Sequence, residues 1–347
     1  MNSRLFTYIL LAMALTSCAK NVIDPIDPDP MVFSAIASHS SKSIITTTNY
    51  PLDEPFVVKA VHYPKGFEKP ESTLLIDRQT VEYDFENGLW KTGSNYFWPL
   101  QGNVRFFAGS PVIPEVQISD QNGVEADWTI ETNDQTQTDL CFAEVDEKCS
   151  SHSALVPIVF SHALSQVCFK ARTLKHYSSS QVDNDLIQAN IISVVLDSIK
   201  IKGIVSKGHF TQKPRKWDYD PEQTTEYLIF KSEEGLELKC DRYDNPILTK
   251  LNNMLLIPQK IGSGAYIQEW HHMVVRTSVT DKNTGSIISD MTYSIPLNSI
   301  IPLALYGREW ETDIKYTYRI AVGYESTEVA MAVTDWTETK EIIIGDE

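Results

Sequence analysis

Lys315-Tyr316-Thr317-Tyr318-Arg319-Ile320 decides the fold class of this 347-residue chain. Tyr316, Tyr318 and Ile320 share one side of a period-two pattern, and Lys315, Thr317 and Arg319 share the other. That is the pattern of a strand with one apolar face. The same period recurs outward from it. Met291, Tyr293 and Ile295 alternate with Thr292 and Ser294, and Ile199 and Ile201 alternate with Lys200 and Lys202. Val57-Val58-Lys59-Ala60-Val61 and Val104-Arg105-Phe106-Phe107 read as further strands. Met273 to Thr280 and Ser286 to Ile295 form an expected hairpin, turning through Asp281-Lys282-Asn283-Thr284-Gly285. Prolines at 51, 55, 64, 70, 99, 111 and 114 punctuate the first half and suit turns and strand edges. No long amphipathic helix is visible, and no short repeat points to a solenoid. The expectation is an all-β protein of two β-sandwich domains, at residues 31–178 and 186–347. The break is placed in the polar run between Leu174 and Asp185.

The front of the chain carries a different signal. One basic residue, Arg4, precedes an apolar run from Leu5 to Leu15, followed by Thr16-Ser17-Cys18. As a helix the run covers about 16 Å, against roughly 30 Å of hydrocarbon, too short to span a membrane. A cysteine after small residues at the end of such a run is a bacterial lipoprotein signal. Residues 1–17 are expected to be removed and Cys18 to be acylated. Residues 18–30 then form a lipidated tether, since Asp24-Pro25-Ile26-Asp27-Pro28-Asp29-Pro30 forms neither helix nor ladder. No aspartate follows Cys18 to argue for inner-membrane retention, so the outer membrane is the expected location. Two or three acyl chains anchor durably where one does not.

Composition narrows the function classes. The net charge is −16, and losing Arg4 leaves 29 basic against 46 acidic residues, or −17. That balance disfavours nucleic acid as a partner and suits an exported surface protein. Beyond Cys18 remain Cys141, Cys149, Cys168 and Cys240. Cys141 and Cys149 flank what reads as a polar loop and are placed to bridge, while Cys168 reads as a small buried side chain. No spacing matches a metal or redox site, and no cofactor is expected.

The sites that invite chemistry have plainer readings beside them. His162 lies inside a strand pattern and reads as a hydrogen-bonded core histidine. His271 and His272 are adjacent on a strand, so they point to opposite faces and cannot share an ion. Asp218, Asp220 and Glu222 read as a solvated acidic loop rather than a calcium site. Trp90, Tyr96, Phe97 and Trp98 suit either a plug at one end of a sandwich or a carbohydrate-stacking platform. The nucleophile, zinc-hydrolase and phosphate-loop motifs are missing, so no enzyme activity is expected.

One ordered set of patterns is more specific. Met31-Val32-Phe33-Ser34-Ala35 is followed by Phe56-Val57-Val58-Lys59-Ala60, then Trp90 and Tyr96-Phe97-Trp98-Pro99. Val104-Arg105-Phe106-Phe107-Ala108-Gly109-Ser110-Pro111 comes next, and Thr138-Asp139-Leu140 leads to Ile158-Val159-Phe160-Ser161-His162-Ala163-Leu164-Ser165. Leu255-Leu256-Ile257-Pro258-Gln259, Trp310 and Val333-Thr334-Asp335-Trp336 complete the series. This succession resembles the fimbrillin-like lipoproteins of Bacteroidales, the subunits of type V pili. The resemblance implies two tandem transthyretin-like (Ig-like) sandwiches and export to the outer membrane through lipid at Cys18. It implies a fimbrial subunit whose first strand is cut away and replaced by a strand of the next subunit. Its partners are then other fimbrial subunits and a receptor on a host or bacterial surface. Five side chains in the vacated groove would contribute roughly 7–15 kcal/mol before ordering costs. Relatives are cut after arginine, whereas here no arginine occurs between Cys18 and Arg78 and Lys42 stands near the expected cut. Ile342-Ile343-Ile344 is the donor-strand candidate, or else completes its own domain. The alternatives are an uncut anchor or accessory lipoprotein, and a surface glycan-binding lipoprotein.

Overall fold

The structure is a computed structural model that describes residues 29–37, 50–69, 71–133, 136–173, 191–238, 245–246, 254–261, 271–297, 309–323, 327–335 and 342–344. Cys18, Lys42, Cys240, Trp336 and the expected linker 174–185 lie outside them. The described residues form strands and no α-helix. In chain order they are β1 (Phe33–Ala37), β2 (Phe56–Tyr63), β3 (Thr73–Asp84), β4 (Leu89–Thr92), β5 (Asn103–Ser110), β6 (Val116–Ser119) and β7 (Gly123–Thr129). There follow β8 (Cys141–Lys148), β9 (Val156–His162), β10 (Ser165–Thr173), β11 (Ile192–Val205), β12 (Lys207–Thr211), β13 (Lys216–Asp218) and β14 (Thr224–Glu237). The last are β15 (Asn245–Pro246), β16 (Met254–Leu256), β17 (His272–Asp281), β18 (Ile287–Pro296), β19 (Ile314–Val322), β20 (Thr327–Asp335) and β21 (Ile342–Ile344).

Seven strands close a barrel in the order β1-β4-β3-β2-β5-β8-β9. Alternation along each strand sends one set of side chains inward, where Phe33, Phe56, Val58, Phe106, Ile158 and Phe160 make a core less than 2% exposed. The outward set of β2, β5 and β8 is not solvated throughout. Val57, Phe107 and Phe142 face the sheet β13-β12-β7-β6, with Phe142 and Phe210 rings 5.1 Å apart. The approach is close enough to need Gly109, where an added Cβ would meet Val116 Cγ1 at 3.0 Å.

That covering sheet takes β6 and β7 from one side of the expected linker and β12 and β13 from the other, joined where Phe210 pairs with Ala126. Two further sheets, β15-β10-β19-β20-β21 with β16 also on β10, and β14-β11-β17-β18, account for the other described strands. Their core is continuous with the covered outer face of the barrel. β10 lies within the expected first unit of residues 31–178, yet its partners β15, β16 and β19 all come from beyond residue 186.

The strand that set the fold class is β19. Tyr316, Tyr318 and Ile320 are fully buried as the alternation requires, but Thr317 and Arg319 on the other face are 2% and 6% exposed. β19 lies between β10 and β20, so both its edges are paired, and the burial of Thr317 and Arg319 shows that its second face is covered as well. Its tyrosine hydroxyls are hydrogen-bonded: Trp310 Nε1 donates to Tyr318 Oη at 3.0 Å, and the Glu311 N–H donates to Tyr316 Oη at 2.8 Å. The expected hairpin is β17 and β18, paired from His272 with Pro296 to Thr280 with Ile287.

One cysteine expectation is corrected. Cys141 and Cys149 do not flank a loop; they bracket the eight-residue strand β8, and both are free. Eight steps of about 3.3 Å separate them by roughly 26 Å, far beyond disulfide reach. Cys168 is a buried thiol in β10.

Candidate functional site: the seat of the first strand

Met31-Val32-Phe33-Ser34-Ala35-Ile36 leads into β1, and the barrel gives the two sides of this stretch different surroundings. Met31 and Phe33 point inward at 3% and 1% exposure, while Ile36 points out at 39%. On one side β1 runs parallel to β9, in register from Phe33 opposite Val156 to Ala37 opposite Phe160. On the other it meets β4 at Phe33 opposite Trp90. The chain before it is laced to the loop that follows β4. Met31 N–H donates to Tyr96 O at 2.7 Å, and Trp98 N–H donates to Asp29 O at 3.0 Å. Removing β1 would open the barrel between β4 and β9 and uncover an aromatic groove. Phe33 sits edge-on to Phe56 and Phe106, with centroids 6.5 and 6.0 Å away.

Both ends of the segment that contains Lys42 are held. β1 ends at Ala37, and Tyr50 is buried at 4% exposure with its ring stacked 4.7 Å from Phe160. Tyr50 Oη donates to Ser110 Oγ at 2.6 Å, and burial pushes its phenol well above the ordinary tyrosine range. Residues 38–49 thus join a seated strand to a separately anchored tyrosine. Met31 and Phe33, with half-buried Ala35, are the inward side chains of this stretch, fewer than the five expected. At about 1.5–3 kcal/mol for each large one, the apolar share is roughly 3–6 kcal/mol.

The aromatic cluster resolves as a plug. Trp90 and Trp98 are 4% and 8% exposed within the barrel core, and Trp98 stacks on the His152 ring at 4.2 Å and 4°. Phe97 is exposed, but Trp90 and Trp98 offer no free face for a sugar. Asp218, Asp220 and Glu222 are exposed, and Asp220 is spent on its own turn. Its Oδ1 accepts the Glu222 N–H at 3.0 Å and its Oδ2 the Gln223 amide at 3.1 Å. His271 and His272 stand at the start of β17.

At the far end of the barrel His162 is a hydrogen-bonded core residue, with Nδ1 2.5 Å from Asp139 Oδ2. Burial alone would lower its pKa; the Asp139 carboxylate and Cys141 outweigh that and raise it well above the usual value. Burial, helped by Asp139, pushes the Cys141 thiol up to about 12. Sequence alone did not bring Asp139, Cys141 and His162 together, because only the β8–β9 register makes Cys141 face His162. Beyond it the chain leaves the barrel through Ala163 and Leu164. Trp217 Nε1 donates to Ala163 O at 2.7 Å and Asp313 N–H to Leu164 O at 3.1 Å. At the other end of the chain, β21 pairs antiparallel with its own β20, Ile342 opposite Val333 and Ile344 opposite Met331, as the edge of its sheet.

Comparison with known proteins gives this architecture its relatives. A fimbrial protein from Bacteroides vulgatus ATCC 8482 superimposes with a TM-score of 0.62 at 13% identity, over 89% of this chain and 99% of that one. A candidate cell adhesion protein from Bacteroides uniformis ATCC 8492 matches with a TM-score of 0.52 at 15% identity, over 89% of this chain and 100% of that one. A similar candidate from Bacteroides ovatus ATCC 8483 gives 0.52 at 12% identity, over 90% and 99%. At these identities the likeness is one of fold. No curated protein sequence matches the chain. The fimbrillin-like family model, however, matches residues 58–336, from within β2 past the end of β20. A match over that span, carried by both the barrel and the sheets beyond it, means that the chain belongs to the fimbrillin-like family.

Proposed function

We propose that this protein is a fimbrial subunit, exported as a lipoprotein acylated on Cys18 and assembled at the outer membrane by strand exchange. The observation that carries the reading is the seat of β1: it closes the barrel in parallel with β9 and leads straight into the segment containing Lys42. A cut at Lys42 separates β1 from the rest of the chain, while Tyr50 downstream of the cut stays packed on Phe160. The vacated groove then accepts a strand from another subunit, whose main chain replaces the β9 ladder and whose alternate side chains replace Met31 and Phe33. Ile342, Ile343 and Ile344 are the donor candidate. In this reading the two units are transthyretin-like, and the passage at Ala163–Leu164 divides them more naturally than the expected break near residue 178. The protein acts through binding rather than catalysis, its partners are further subunits and a surface receptor, and it resides at the cell surface.

A specific observation favours a second reading. β21 is already paired with β20 at home, as suits an uncut anchor or accessory subunit. Unboiled gel electrophoresis of outer-membrane fractions separates the two. A ladder of SDS-resistant multimers that collapses on boiling, with a new N-terminus at Ser43, is expected for the polymerising subunit. A single full-length band would assign the anchor role instead.

A further inference from the structure

Strand exchange at β1 makes no use of the buried cluster at the barrel end opposite the Trp98–His152 stack, where Cys141 pairs with Ser110. Asp139, Cys141 and His162 are 6%, 9% and 3% exposed, and one ligand atom from each lies within 4.8 Å of the other two. Cys141 and His162 are direct cross-strand partners, so their side chains share a face and their separation is set by the ladder. Cys141 Sγ is 3.7 Å from His162 Nδ1. A tetrahedral ion with ordinary bonds to sulfur and imidazole nitrogen would hold them about 3.6 Å apart. Asp139 adds the second observation. One of its oxygens meets His162 Nδ1, but Oδ1 is buried with no hydrogen-bond partner. Buried carboxylate oxygens are rarely left so, and an absent donor or cation is the usual explanation.

We propose that Asp139, Cys141 and His162 form a binding site for one zinc-class transition-metal ion. Cys141 Sγ, His162 Nδ1 and one oxygen of Asp139 supply three donors, and a water would take the fourth tetrahedral position. The mixture of sulfur, nitrogen and carboxylate oxygen suits zinc, whereas calcium and magnesium need cages of oxygen. Binding requires the Nδ1–Oδ2 contact to open from 2.5 Å to about 3.3 Å, the spacing of two ligands on one tetrahedral ion. Asp139 precedes β8 outside any strand, so its carboxylate can withdraw without breaking a ladder. The thiol proton and the proton between Nδ1 and Asp139 pass to solvent as the ion enters. The ion would fasten β8, β9 and the segment before β8 together, next to the passage through Ala163–Leu164. The proposal is independent of the assembly reading.

Cobalt(II) titration of the metal-stripped, reduced full chain tests it. The expected result is saturation at one equivalent, with a near-ultraviolet sulfur-to-cobalt charge-transfer band, visible bands of a tetrahedral site, and displacement of both by zinc. Cys141→Ser abolishes the charge-transfer band and Asp139→Asn weakens binding by at least about tenfold, while Cys149→Ser leaves both unchanged. Wild-type protein that gives no sulfur-to-cobalt band at one equivalent overturns the site. A band that persists in Cys141→Ser also overturns it, placing the ion on another thiol. Circular dichroism of each variant separates lost binding from lost fold.

Discussion

The first and last strands of this protein are held in opposite ways. β1 has neighbours on both sides, buries Phe33 to 1% exposure and closes a barrel. β21 has three paired residues and one neighbour, at the edge of an open sheet. Both are short, so length does not explain the contrast. A strand at an edge can leave without disturbing anything beyond its own ladder, while one that closes a barrel leaves a gap lined with aromatic rings. In a chain assembled by strand exchange, the first strand is then the gate and the last is the free hand.

The sharpest way to break this comparison is all-or-none. Deleting residues 341–347 is expected to remove SDS-resistant multimers completely while the thermal midpoint moves by only a few degrees. A collapse of the midpoint would mean that β21 is as deeply built in as β1. Next in size, Phe33→Ala should cost about 3–5 kcal/mol in chemical denaturation of the uncut protein, the range for emptying a buried aromatic position. The same change should speed uptake of a labelled peptide copying residues 341–347 by chain cut after Lys42.

Smaller effects sharpen the contrast between the barrel and the sheets beyond it. His271, at the start of β17, has its pKa pushed down to about 4, chiefly by burial and then by the charge of His272. The unfolded chain takes up that proton below about pH 6.5 and the folded chain does not until about pH 4. Stability from this group is therefore full above pH 6.5 and is lost as pH falls towards 4. Allowing for solvent screening, the loss is about 1–2 kcal/mol. Thermal unfolding from pH 7.5 to 4 should show it, and His271→Gln should flatten the profile. Smallest is Tyr50→Phe, which deletes the hydroxyl that donates to Ser110 Oγ. A loss of about 1 kcal/mol is expected, measured on the uncut chain by urea denaturation.

Legibility in the sequence followed the range of the interaction. The β17–β18 hairpin could be read because everything that makes it is local. Asp281 Oδ1 accepts the N–H groups of Asn283 at 2.7 Å and Thr284 at 3.0 Å, and Gly285 takes φ +70°. The parallel closure of β1 on β9 could not be read, since Phe33 and Val156 meet across more than a hundred residues with no signal between them. β8 was missed for another reason. Its outward residues Glu144 and Asp146 engage Arg105, with Asp146 Oδ2 2.7 Å from Nη2, and such a charged run looks like a loop. The alternation of Ala143 and Val145 with Glu144 and Asp146 was the available clue. The Asp139–Cys141–His162 cluster depends on the β8–β9 register, which no local pattern encodes.

The sheet built from β6, β7, β12 and β13 also governs how the chain reaches its fold. In the proposed export route the N-terminus would be delivered first, so β2, β5 and β8 would emerge while residues 207–218 are still inside the cell. Until β12 pairs with β7, the side chains of Val57, Phe107 and Phe142 have only part of their cover. The early half of the molecule is therefore sticky for as long as translocation of the later half takes, the period when such chains aggregate or need an escort. Slowing secretion should endanger this protein more than one whose halves fold alone.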